Sequence, residues 1–329
     1  MGRFFTAVGD DYVICTSITR PVFPFLGQMI FETDTSSVRL WDGSGWIANF
    51  FVGTFFSVQY LVVGGGGGGG GVIGGGGGGG GFLEGTIALT KNVNHTVTIG
   101  AGGSGGFAWN STSQRGNPGG DSVLHTVTAL GGGAGGAHAV NDTRVNGTTG
   151  GSGGGGGQGA GSTGTVGQGF GGGTGDGNNG GGGGGASADG ETRVASVRGG
   201  NGGAGKESSI TGTTLFYAAG GGGGTRSGYG VGGTGGSSIG GNGGTTDFSK
   251  TATDGVANRG AGGGGGGHNG NSAGNVQSAG NGGSGIVVVR YPSNYPELNV
   301  GNGLTYSVSI VSNNRVYQFT AGTGTVTFS

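Results

Sequence analysis

The stretch Leu61–Gly81, LVVGGGGGGGGVIGGGGGGGG, limits the possible folds more than any other part of the chain: a short apolar strand runs into two eight-glycine blocks. Such blocks have no side chains with which to bury apolar area or show amphipathic periodicity. They offer only backbone N–H and C=O groups, which must be paired wherever they are buried. One regular conformation suits them, the left-handed extended helix with three residues per turn, a rise of about 3.1 Å and no internal hydrogen bonds. Its amides point outward in three directions, and only glycine lets neighbouring backbones come close enough to use them. The expectation is a lattice of packed polyglycine helices.

Glycine supplies 100 of 329 residues, a fraction that first suggests collagen. Only 5 prolines are present and no Gly-X-Y register exists, so collagen is excluded. Disorder is the next reading of such a composition, but apolar, strand-like pieces interrupt the glycine. Ordering glycine costs more backbone entropy than ordering any other residue, so the compensating hydrogen-bond network has to be extensive. Charged residues make up 9% with a net charge of −1, which leaves no electrostatic footprint for nucleic acid. Cys15 is the sole cysteine and reads as a small buried hydrophobe. The opening MGRFFTAVGDDY lacks a basic region followed by an apolar one, so no signal peptide is expected, and as a myristoylation motif it is a poor match. No apolar run is long enough to span a bilayer as a helix.

Three segments follow from composition. Residues 1–55 alternate apolar and polar positions in short pieces broken by Gly and Asp-Gly, as small antiparallel strands do. In this part Met29, Phe31 and Thr33 are expected on one face and Gln28, Ile30 and Glu32 on the other. Asp42-Gly43 is a hairpin turn between Trp41 and Trp46. Residues 56–292 alternate glycine runs with strands. Val58–Val63 and Ile286–Tyr291 read as buried strands lying near each other, and Thr86–Leu89 and His95–Ile99 as half-buried strands around the turn 91–94. Residues 293–329 are Thr/Val-rich strands with a turn at Asn313-Asn314. The fold class expected is all-β and irregular: a small N-terminal β module, a sandwich of polyglycine helices with short strands, and C-terminal strands, with essentially no α-helix.

Two stretches resemble known families. Pro24-Phe25, Gly27–Thr35, Leu40–Gly43 and Trp46 resemble a short module of bacteriophage tail fibres and related appendages. That resemblance implies attachment near a fibre base and a homotrimer, with Phe25, Ile30, Phe31, Trp41 and Trp46 as attachment or oligomerisation residues. VQYLVVGGGGGGGG, TIALTKNVNHTVTIGAGGSGG, DSVLHTVTALGGGAGG and GGSGIVVVRYP, in that order, are similar to the glycine-rich domain of phage receptor-binding proteins. This second resemblance implies a polyglycine sandwich with receptor-contacting loops at one end. The same packing serves other functions elsewhere, so the architecture alone does not fix a role. RVYQFTAGTGTVTF resembles a segment that normally precedes such a domain, and here it follows one. Either a further copy once followed, or these strands fold back to close the sandwich.

Function would sit in the loops between glycine runs, since a rigid scaffold lets loops vary. The candidate receptor-binding residues are Phe107, Trp109, Asn110, Arg115, Arg226, Tyr229, Phe248 and His268. Phe170, Leu215–Tyr217 and the charged stretch from Asp189 to Arg198 are further loop features. Aromatic faces beside Asn, Asp and Arg suit sugar rings, and equally a protein loop. For any single residue the competing role is to cover lattice ends or to pack between protomers.

Other chemistry is not supported. GxGxxG matches carry no information in a chain this rich in glycine, and Gly205-Lys206 is followed by Glu207, which breaks the Walker pattern. GGTGDGNNG at 172–180 lacks the apolar residue and tandem repetition of calcium-binding nonapeptides. His95, His125, His138 and His268 stand at unrelated spacings, so no metal site and no cofactor are expected. The few acids name no carboxylate pair for glycoside hydrolysis, and no enzyme is expected.

The reading is a phage virion fibre or adhesin protein, made in the host cytoplasm. It would bind a host glycan or outer-membrane protein and assemble with other tail or virion proteins, without nucleic acid or membrane insertion. The alternative is a structural tail or capsid decoration component without a receptor. An ice-binding protein would need a flat, regular Thr/Ala face, which these loops do not offer.

Overall fold

A computed structural model describes residues 13–35, 37–47, 55–109, 112–138, 143–245, 251–268 and 278–329. The chain divides into two compact units, Met1–Phe55 and Phe56–Ser329.

In the first unit, four strands form a sheet in chain order: β1 (Val13–Cys15), β2 (Met29–Glu32), β3 (Ser37–Trp41) and β4 (Trp46–Ile47). β1 runs parallel to β2, and the other pairs are antiparallel. The Asp42 carboxylate shapes the β3–β4 turn by accepting the N–H groups of Ser44 and Gly45 at 2.8 Å each. That turn sets Trp41 against Trp46 edge-on, with ring centroids 5.5 Å apart. Ile30 and Glu32 share the buried face of β2, as the alternation predicts, and both are fully buried. The carboxylate on that face is held by Arg20, by the Arg39 guanidinium at 2.6 Å and by the Thr35 hydroxyl at 2.8 Å. Burial pushes the Glu32 carboxyl up, but these donors outweigh it and hold the group at about 2.

The second unit combines a curved sheet with a glycine lattice. β5 (Phe55–Val63) and β6 (Phe82–Thr90) bracket the two eight-glycine blocks, and β7 (His95–Thr98) follows. Two hairpins come next, β8 (Ala108–Trp109) with β9 (Thr112–Ser113) and β10 (Ser122–Leu124) with β11 (Val127–Ala129). A third joins β12 (Lys206–Ser208) to β13 (Leu215–Tyr217). The chain closes with β14 (Ile286–Pro292), β15 (Leu298–Val300), β16 (Leu304–Val311) and β17 (Asn314–Phe328).

The described residues place nine of these strands in one sheet, ordered β11-β10-β7-β17-β14-β5-β6, with β15 and β16 also pairing with β17. β11 approaches β6 across the remaining gap, so the sheet is nearly a closed barrel. β5 and β14 pair directly, Val62 opposite Val287 and Leu61 opposite Val288, as their apolar runs suggest. Both runs are continuous because both sheet faces are covered. Val62, Val287, Val289 and Tyr291 join Phe319 and Phe328 in one core, while Leu61, Val63, Ile286 and Val288 join Phe82 and Tyr217 in another. β6 and β7 do not pair with each other around the turn at 91–94; β7 crosses to β17 and β10. The C-terminal strand β17 fills the middle of the sheet, between β7 and β14. The strands after residue 292 thus fold back into the sheet.

Hydrogen bonds in the glycine blocks recur every third residue. Gly64, Gly67 and Gly70 donate to Gly81, Gly78 and Gly75; Gly65, Gly68 and Gly71 donate to Gly120, Asn117 and Gln114; Gly66 and Gly69 donate to Gly283 and Gly280. Three further segments donate to the same block, through Gly103 and Gly106, Gly132 and Gly135, and Gly263 and Gly266. The block 64–71 therefore has six neighbours, three through its N–H groups and three through its carbonyls. The block 74–81 is surrounded in the same way, donating to segments at 260–266, 130–136 and 181–184 and accepting from 64–70, 152–155 and 221–224. This is the hexagonal packing open to a three-residue-per-turn helix and to no helix with side chains. No α-helix occurs among the described residues; the helical pieces are two single 3-10 turns, Thr143–Val145 and Gly236–Ser238.

Between the strands the chain shuttles along this lattice. It leaves the sheet, turns at a far tip, returns, and repeats. Described tip turns fall at 72–73, 143–145, 158–160, 176–179, 194–198 and 225–230, with the strands at 108–109 and 112–113 at the same end, and turns at the sheet end at 165–168, 186–188 and 236–239.

Candidate functional site

The central glycine blocks offer backbone alone and the outer runs add short polar side chains such as Asn117, Asn201 and Asn242, so aromatic and ring-nitrogen chemistry has to come from where the chain turns. At the tip end the hub is Val72-Ile73, which joins the two central blocks. Both residues adopt left-handed backbone, φ 43 and 51, a conformation β-branched residues rarely take. Both are also buried, at 8% and 2% exposure. The surrounding segments over-determine the turn: the His138 amide donates to the Val72 carbonyl at 3.1 Å, Gly71 donates to Gln114 and Gly74 to Gly266.

Around that hub the predicted residues fall into two groups. Phe107 is 54% exposed and leads into the β8–β9 hairpin, which carries Trp109. Gln114 closes the base of this hairpin by donating to the Phe107 carbonyl at 2.9 Å. Next to it the half-buried Arg115 reaches the Thr143 carbonyl through its guanidinium, while its buried Nε finds no partner. Asn110 and Phe248 lie outside the described residues.

The second group is Arg226, Tyr229 and His268. Arg226 and His268 lie side by side in a parallel bridge: Ser227 donates to the His268 carbonyl at 2.9 Å and His268 to the Thr225 carbonyl at 3.0 Å. Tyr229 closes a turn onto the Arg226 carbonyl at 3.1 Å. Fully buried Asn179 supports that turn from below, its amide nitrogen placed to donate to the Tyr229 and Asn178 carbonyls at 3.1 Å each. His138 belongs to the same group. Burial lowers the pKa of His138 and of His268, and the nearby Arg226 charge lowers both further. Both imidazoles are therefore biased towards the neutral form, which can donate and accept hydrogen bonds.

Ion pairs frame the neighbouring turns. Arg193 meets Asp176 and Arg198 meets Glu191, each at 2.7 Å. Asp176 also caps its turn, accepting the N–H groups of Asn178 and Asn179 at 3.0 and 2.9 Å. The stretch 172–180 is therefore a capped turn. Val194, Val197 and Val231 are exposed beside it. The tip face so assembled is polar and aromatic, with apolar spots and both charge signs.

The sequence that builds this lattice matches a family profile, the glycine-rich domain, over residues 50–292. The chain belongs to the glycine-rich domain family. No curated protein and no solved structure matches it.

Within this glycine-rich domain the remaining loop features lie at the other end. Phe170 accepts from Gly153 and donates to Gly185 next to the sheet, and Leu215–Tyr217 form β13 there. Tyr217 is core, with the Arg259 guanidinium over its ring at 4.9 Å. Sequence position alone could not separate these from the tip residues. The direction of each glycine run decides it, and that follows only from counting turns outward from the sheet. His138 and Asn179 were missed as tip residues for the same reason. The legible signal for the hub is the Val-Ile dipeptide between equal glycine blocks. Of the residues expected in attachment, Ile30 is core of its own sheet, Phe31 is half-buried and Phe25 is 68% exposed. No group of three or more metal-ligating side chains occurs among the described residues.

Proposed function

We propose that this chain is a bacteriophage fibre or adhesin protein whose lattice tips bind a component of the host cell surface. The observation that carries the reading is the concentration of aromatic, imidazole and guanidinium groups (Phe107, Arg226, Tyr229, His138 and His268) around one end of a lattice whose central blocks are backbone alone. Support also comes from the tail-fibre-like wording of residues 24–46 beside a glycine-rich domain. In this proposal the first unit attaches to other virion proteins and trimerises, the lattice holds the tips rigid, and no covalent chemistry takes place. A host glycan or outer-membrane protein would meet aromatic faces, imidazoles and a guanidinium. Several weak tip contacts on linked copies raise avidity without new contacts. The protein would reside in the virion.

The test is whether purified protein coats host cells and blocks infection by the parent phage. Blocking that disappears with tip substitutions supports an adhesin. A well-folded protein that neither binds nor blocks points instead to a decoration component.

A further inference from the structure

At the sheet end, far along the chain from each other, His95 and His125 meet. We propose that they form a binding site for a divalent transition metal, with zinc the best fit.

The Nδ1 atoms lie 3.3 Å apart and share a hydrogen bond, a separation that also matches two ligands on one tetrahedral ion. Zinc–nitrogen bonds of about 2.0–2.1 Å at a tetrahedral angle hold two nitrogens about 3.3–3.4 Å apart. The rings stand nearly perpendicular, at 83°, with centroids 4.6 Å apart.

The protonation pattern also fits. His95 is 1% exposed, and its Nε2 lies 3.1 Å from the Thr90 carbonyl. A carbonyl only accepts, so the His95 proton sits on Nε2 and its Nδ1 lone pair accepts from His125 Nδ1–H; an arriving ion would take that lone pair while the His125 proton moves to its own Nε2 or to solvent. A backbone carbonyl holding the far nitrogen in this way orients metal-ligating histidines and raises their basicity.

His125 contributes the second nitrogen from an unusual backbone. It occupies the β10–β11 turn at φ 54, in the left-handed region, and its N–H is tied to the Thr96 carbonyl at 2.8 Å. Asn or Gly is the more common choice for such a turn. A histidine here puts an imidazole over His95 and leaves it open to solvent. One ligand is buried and fixed, and the other is exposed and able to turn onto an arriving ion. Water would complete the coordination shell, so binding weaker than that of a closed four-ligand site is expected.

The experiment is a zinc titration of the full chain by calorimetry, paired with imidazole nitrogen NMR. One zinc per chain is expected, with the Nδ1 signals of His95 and His125 shifting together. Replacing His125→Gly should weaken binding by about tenfold or more, a ligand counting for at least as much as an outer-shell partner. Glycine suits the positive φ, so this variant should keep its melting temperature. His138→Ala, at the opposite end, should leave binding unchanged. The proposal falls if wild-type protein binds no zinc saturably, if binding survives His125→Gly, or if the shifted signals belong to His138 and His268.

Discussion

The side chain of Gln168 takes the Leu130 amide proton at 2.8 Å and gives one of its own to the Thr128 carbonyl at 3.2 Å. The backbone carbonyl of Gln168 accepts from Phe82 at 3.1 Å. One glutamine in a sheet-end turn thus joins the exit of β11 to the start of β6, across the gap where the sheet nearly closes. Gln168→Leu should leave the Leu130 N–H without its partner and cost about 1–3 kcal/mol. Calorimetric melting should show a lower Tm, and Gln168→Glu, which keeps the acceptor, should fall between the two.

A Cβ on Gly77 would sit 2.0 Å from the Gly67 carbonyl oxygen and 2.6 Å from its carbon. Gly77 lies in a block with backbone neighbours on all six sides, so nothing can move aside cheaply. Gly77→Val is expected to destabilise by about 3 kcal/mol or more, at the severe end of point substitutions. Val166→Ser, at a 98% exposed position, provides the contrast and should leave the Tm unchanged. Equal melting temperatures for the two variants would contradict the buried lattice.

Acid should weaken the first unit through Glu32. Its folded pKa of about 2 lies below the unfolded value of about 4.3, so the group stabilises the fold at pH values above the unfolded pKa. That contribution fades as pH falls from about 5 and is gone once the pH passes below about 2. Fluorescence of Trp41 and Trp46, followed in a Trp109→Phe background, should report loosening of the sheet across that window. With Glu32→Gln the dependence should flatten.

The two ends of the second unit should respond differently to substitution. Arg226→Ala, Tyr229→Ala and Phe107→Ala are expected to reduce cell binding by about tenfold together, given the hot-spot character of Arg and Tyr, with melting temperatures held. Phe170→Ala, at the sheet end, should leave binding intact. Binding that ignores the tip set and follows Phe170 would overturn the proposed tip site in favour of the sheet end.

Much of the architecture could be read from residues. Two eight-glycine blocks admit one packing, and the six-neighbour lattice follows from the three directions in which their amides point. The apolar runs at Val58–Val63 and Ile286–Tyr291 declare strands covered on both faces, and they pair. Less was available where partners are distant. His95 and His125 share no spacing rule, because β7 and β10 become neighbours only after a glycine excursion out and back. Glu32 alternates with Ile30 on a buried face, yet nothing local announces that Arg20 and Arg39 converge on it. Whether a loop lies at the tip or the sheet depends on how many runs precede it, which composition does not encode.

A helix with three residues per turn rotates 120° per residue, so each glycine in a block is addressed to one particular neighbour. Removing or adding one residue inside 64–71 or 74–81 would redirect every later amide to the wrong partner, whereas steps of three would preserve all the addresses. Length changes within these two blocks are therefore confined to steps of three, whereas an exposed turn such as 227–230, which addresses no six neighbours, is held to no such count.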